Sequence, residues 1–129
     1  MLSIDHFVLT VTNIEKTADF YTEILGMTLQ EFLPPGSTQP RFSLRFGTQK
    51  INLHSASNPF KPHAKSPFSG SADICFISDM SVETWIEDLS QKNILIEEGP
   101  VHRTGANGPI ISIYVRDPDG NLIEIANQN

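Results

Sequence analysis

Residues 4–11, Ile-Asp-His-Phe-Val-Leu-Thr-Val, are rich in β-branched and aromatic side chains and read as a strand. Alternation gives it two faces, with Ile4, His6, Val8 and Thr10 on one and Asp5, Phe7, Leu9 and Val11 on the other. The period then changes. Thr12 and Asn13 supply an N-cap signal, and Ile14, Ala18, Tyr21 and Leu25 follow at helical spacing, with Glu15, Lys16, Asp19 and Glu23 off the stripe. Gly26 is placed to end the helix in a left-handed conformation. Strands are predicted next over 27–33, stopped by Pro34, Pro35 and Gly36, over 41–46, and over 50–55 after the Gly47-Thr48 turn.

Residues 57–71 have little periodicity and contain Pro59, Pro62 and Pro67, which marks a linker. Beyond it the order of elements repeats. A strand is expected over 72–78, then a helix capped by Ser81 with the stripe Val82, Trp85, Ile86 and Leu89. Asn93 stands where Gly26 stood, and the interval from His6 to Gly26 equals that from Asp73 to Asn93. A short strand over 94–97, a glycine-rich loop over 99–109, and strands over 110–116 and 121–126 complete the second half. The chain is therefore α+β, a βαβββ module of about residues 1–56, the linker, and a second module of about 72–129. Neither half holds enough core to stand alone, so the expectation is one domain whose modules form a cupped, barrel-like mixed sheet with the helices outside.

The last strand follows Asp117-Pro118-Asp119-Gly120, a turn in which Pro118 pre-sets its φ and Gly120 supplies a positive one. In the run after it, Glu124 faces away from the side that takes Ile123 and Ile125. Such a carboxylate is either solvated or points into a lined cavity where a charge has a function.

Composition narrows the function classes. The chain has 129 residues, 39% of them hydrophobic and 19% charged, as in an ordinary folded domain. Its net charge of −6, with no basic run or stripe, argues against nucleic acid and against an anionic membrane surface. A single cysteine, Cys75, forms no internal disulfide and points to a reducing compartment. No apolar run approaches the ~20 residues a spanning helix needs, and the amino terminus lacks the signature of a signal peptide. A cytoplasmic protein is expected. Cys75 reads as a small buried hydrophobe, Trp85 as core, and His63 and His102 as solvated loop residues.

The duplicated βαβββ order resembles the vicinal oxygen chelate superfamily, which includes glyoxalase I, bleomycin- and fosfomycin-resistance proteins and extradiol dioxygenases. The resemblance is carried by Ile4-Asp5-His6, by Asp19-Phe20-Tyr21 before Leu25-Gly26-Met27, and by Asp117-Pro118-Asp119-Gly120-Asn121 with Glu124. Through Lys50-Ile51-Asn52-Leu53-His54 and Arg103-Thr104-Gly105 the chain also resembles a subgroup of small glyoxalase-domain proteins, some of them virulence-associated in bacteria. The resemblance implies a divalent metal whose ligands come from the first and fourth strands of each half, at His6, Asn52, Asp73 and Glu124. Asn52 stands where glyoxalase I has a second carboxylate, and Asp73 where a histidine is usual. His54, about 6.5 Å beyond Asn52 on the same strand face, is an alternative ligand. Imidazole and carboxylate donors suit Zn, Ni, Mn or Fe, so the expected metal set is His6, His54, Asp73 and Glu124, with Glu124 also the catalytic base. Asn52, Arg45, Arg103 and Tyr114 are expected to meet the substrate, the two arginines as anion clamps. The resemblance implies a homodimer and three candidate functions. These are a metal-dependent lyase or isomerase of the glyoxalase type, an extradiol-type dioxygenase using iron, and a metal-free module that binds a flat or anionic small molecule.

Overall fold

Strand β1, His6–Val11, turns Phe7, Leu9 and Val11 inward, and the last two are buried. Asn13 then caps helix α1, Ile14–Asp19, its side-chain oxygen accepting the Lys16 N–H at 2.9 Å. The expected single helix does not run through to Leu25 in one geometry. At Phe20–Ile24 it becomes a π-helical turn, with the Leu25 N–H reaching back to the Phe20 carbonyl. The Thr22 hydroxyl donates to the Ala18 carbonyl at 2.8 Å and competes there with the helical ladder. Tyr21 is fully buried as a result of where this turn sets it. Gly26 ends the helix at φ 75°.

Three strands follow: β2 Thr28–Phe32, β3 Arg41–Phe46 and β4 Gln49–Ser55. They form a four-stranded sheet in the order β1-β4-β3-β2, parallel between β1 and β4 and antiparallel elsewhere. Leu9, Val11, Tyr21, Leu44, Ile51 and Leu53 make its core.

The second module repeats the plan with β5 Asp73–Ile77, helix α2 Val82–Gln91, β6 Glu98–Gly105, β7 Gly108–Arg116 and β8 Leu122–Gln128. The sheet order is β5-β8-β7-β6, again with only the β5–β8 pair parallel. Ser81 caps α2, and Asn127 of β8 clasps the same end, accepting the Val82 N–H at 2.7 Å and donating to the Ser78 and Met80 carbonyls at 2.9 Å. Val82, Trp85 and Leu89 face inward, as their spacing predicts. Asn93 takes φ 57°, the left-handed role of Gly26.

Two expectations are corrected here. Residues 94–97 form no strand, and residues 99–109 are no loop, because β6 and β7 build a long hairpin from them. The Gly and Pro content that reads as a breaker serves a bulge between Glu98 and Val101. Gly99 lies so close to β7 that a Cβ there would stand 2.4 Å from the Ser112 carbonyl oxygen.

The computed structural model describes residues 1–129, which divide into two compact units, Met1–Ser71 and Ala72–Asn129. Residues 57–71 carry no helix or strand. No helix is long and apolar enough to cross a membrane.

Candidate functional site

Glu124 owes its position to the turn before it. Asp117, 5% exposed, accepts the Asp119 and Asn121 N–H groups at 3.0 and 2.9 Å through Oδ1. Its Oδ2 accepts the Asn121 side-chain amide at 2.7 Å, and Asn121 Oδ1 accepts the Ala72 N–H at 2.9 Å. The turn thus ties the starts of β5 and β8 together and sets the phase of β8. Ile123 and Ile125 go to the core, and Glu124 goes to the opposite face.

On that face one row runs across three strands, because Cys75 and Tyr114 are the two register partners of Glu124. The Cys75 thiol and the Tyr114 hydroxyl both flank the Glu124 carboxylate closely enough to sense its charge. Burial first, then the neighbouring carboxylate, pushes the Cys75 thiol up to about 11, so it is protonated at neutral pH. Burial also raises Tyr114; the Arg103 guanidinium pulls against that and Glu124 adds to it. Arg103 donates through Nε to the Tyr114 hydroxyl at 3.1 Å and through a terminal nitrogen to Glu98 at 3.2 Å. Its guanidinium is therefore engaged in holding Tyr114. Glu124 Oε1 is buried and has no hydrogen-bond partner. Asp73 lies on the same face, exposed, at the position paired with Leu122, one two-residue step of about 6.6 Å from Glu124 along the strand.

The first unit presents the matching face. His6 is paired in register with Lys50, and Asn52 is one two-residue step further along β4. His6 and Asn52 thus repeat the diagonal of Asp73 and Glu124. Asp5 Oδ2 lies 2.7 Å from His6 Nδ1 and orients the half-exposed ring, leaving Nε2 without that partner. His54 shares this face but is paired with Thr10, about 13 Å of strand beyond the Lys50 position. The sheet does not bring His6 and His54 together. His54 is 9% exposed, burial and the nearby Arg41 charge hold it below the usual imidazole range, and its Nδ1 has no partner. Arg45, paired with Lys50, donates to the Gln30 side chain at 3.3 Å.

Taken singly, these side chains are of types that a divalent cation takes. An oriented imidazole with a free Nε2, the orphaned carboxylate oxygen of Glu124 and the carboxylate of Asp73 are the donor types such ions take. No three or more His, Cys, Asp or Glu side chains gather into a set that could hold an ion. Asn52 adds a neutral amide, a weaker donor than the carboxylate expected there.

Three participants escape a reading of the sequence alone. Arg41 stacks on Phe60, its guanidinium 4.3 Å from the ring centroid, and the ring of Phe60 meets His54 edge to face at 5.5 Å. Alternation places Arg41 on the Ser43 face and was the available signal. Nothing in the linker pattern singles out Phe60. The placement of Cys75 against Glu124 follows from register, which the strand pattern does not carry.

A family model for the Glyoxalase/Bleomycin resistance protein/Dioxygenase superfamily matches residues 3–125. Virulence protein STM3117 of Salmonella typhimurium is 51% identical over 123 residues, covering 95% of this chain and 82% of that protein. Its crystal structure aligns with a TM-score of 0.94 at 49% identity, over 100% of this chain and 98% of that one. Glyoxalase domain-containing protein RDO1 of Mycosarcoma maydis is 49% identical over 124 residues, covering 96% of this chain and 67% of its own.

Proposed function

Since this chain belongs to the Glyoxalase/Bleomycin resistance protein/Dioxygenase superfamily, we propose that it is a divalent-metal-dependent enzyme acting on a small, oxygen-rich substrate by glyoxalase-like lyase or isomerase chemistry. The observation that carries this reading is Glu124 Oε1, a buried carboxylate oxygen with no partner, on a strand face whose diagonal repeats in the other unit. Asp73 and Glu124, on one face of the second unit, are the proposed ligands there, and His6 is the one that the family resemblance adds, for Zn, Ni, Mn or Fe. A bound ion of this kind supplies Lewis acidity toward two neighbouring substrate oxygens.

The remaining steps belong to the chain. Asp5 fixes the His6 ring through Nδ1. Glu124 takes a proton at Oε1 from a substrate carbon beside a carbonyl and returns it to the product. Cys75 and Tyr114, both protonated, flank that carboxylate without adding charge, and Arg103 holds Tyr114. Asn52, at the position equivalent to Glu124, has an amide that takes no proton. One base removing and returning the same proton suits an isomerisation better than a two-base epimerisation.

A two-histidine iron centre of the dioxygenase kind is disfavoured, since His6 and His54 stand far apart along the sheet. A metal-free binding module is the second reading, favoured by a cavity that lies wholly within the first unit. The resemblance also implies pairing with a second copy of the chain.

Elemental analysis of protein purified without added metal tests the main reading. A bound transition metal is expected, and His6→Ala is expected to remove it; unchanged stoichiometry in that variant would end the metal assignment. With the methylglyoxal–glutathione adduct as substrate, Glu124→Gln is expected to lower turnover by about a hundredfold or more.

A further inference from the structure

The first sheet carries an open cleft of about 640 Å³ between β2, β3, β4 and Phe60, within the usual range for a small-molecule site. Its charge runs against that of the chain. Arg41 and Lys50 line it and form no ion pair, and Glu31 is the sole carboxylate on its wall. The Arg41 guanidinium carbon lies over the Phe60 ring, 4.3 Å from its centroid, and no ion pair occupies its N–H groups. Beside it stands His54, nine-tenths buried, with Nδ1 unpartnered. A buried polar atom without a partner is costly unless something it binds completes it. Ser43 and Asn52, paired across β3 and β4, offer further hydrogen bonds on the same wall, and Phe32 and Phe60 offer apolar surface.

We propose that this cavity binds a small carboxylic acid with an apolar body, its carboxylate held by the edge of Arg41 and by His54 Nδ1. A stacked guanidinium matches the plane of a carboxylate with two parallel N–H···O bonds, which a lysine ammonium does not do. Ser43 and Asn52 then meet oxygens further along the molecule. The inference goes beyond the enzymatic reading and stands on this cavity alone.

Benzoate and benzamide, equal in shape and different in charge, are the probes. Binding is followed by NMR shifts and calorimetry on the full chain after chelator treatment and dialysis. Benzoate is expected to saturate and to shift the signals of Arg41, His54 and Phe60, with benzamide weaker by about tenfold or more. Arg41 is exposed, so Arg41→Gln is expected to fold normally; it should weaken benzoate about tenfold and leave benzamide unchanged, with Arg41→Lys recovering only part of the loss. Equal binding of the two probes, or benzoate binding in Arg41→Gln equal to the parent, overturns the inference. Protein that holds a metal as purified yet shows no benzoate saturation after chelation overturns it too and leaves the metal assignment standing. Protein that binds benzoate and holds no metal supports the cavity and ends the metal assignment.

Discussion

Replacing Glu124 by glutamine removes a charge and keeps the shape of the row that runs from Cys75 to Tyr114, so the neighbours report on the carboxylate. Burial is the larger reason that the Cys75 thiol sits near 11, and Glu124 is the next. The thiol is exposed enough for a reagent to reach it. In Glu124→Gln the thiolate fraction should rise, and alkylation by iodoacetamide at mildly alkaline pH should run about threefold faster or more. An unchanged rate would mean that the two groups do not sense each other. Individual residues also show where sequence reasoning stops. Alternation correctly puts His6 and His54 on one face of the first sheet, and on that ground alone both are plausible ligands for one ion. What alternation lacks is register, the distance along the partner strand, and register separates them. Arg103 shows the same limit: its guanidinium looks free in the sequence, yet it is spent on Tyr114 and Glu98.

Among the elements, the turn at residues 117–121 was the most legible. Its Pro and Gly announce a tight reversal, and the apolar alternation after it gives the face of Glu124. The sequence does not disclose that Asn121, fully buried, ties Asp117 to Ala72 on the neighbouring strand. Asn121→Ala leaves a buried carboxylate oxygen and a backbone N–H without those partners. The expected cost is about 2–4 kcal/mol in urea unfolding, with unchanged far-UV circular dichroism before the transition. A loss near zero would show that water replaces the amide at no cost. The π-helical turn and the β6–β7 hairpin were the least legible elements. The first depends on a hydroxyl choosing a backbone carbonyl, and the second uses glycines for close approach where they usually mark a break.

At the scale of the whole molecule, the duplication could be read from the equal intervals that end at Gly26 and Asn93, and both residues take the left-handed conformation those intervals require. Pairing of two copies is checked by light scattering, where the expected mass is twice the 14.3 kDa of the chain and a monomer at micromolar concentration would remove the second copy. Net charge is −6 overall, yet the first unit keeps unpaired Arg41 and Lys50 around its cavity. Asn52 and Glu124 occupy matching stations in the two sheets, one an amide and the other an acid. A blueprint written twice need not perform the same work twice. With an amide at one station and an acid at the other, the two sheets can be tuned for different tasks on separate stretches of the gene.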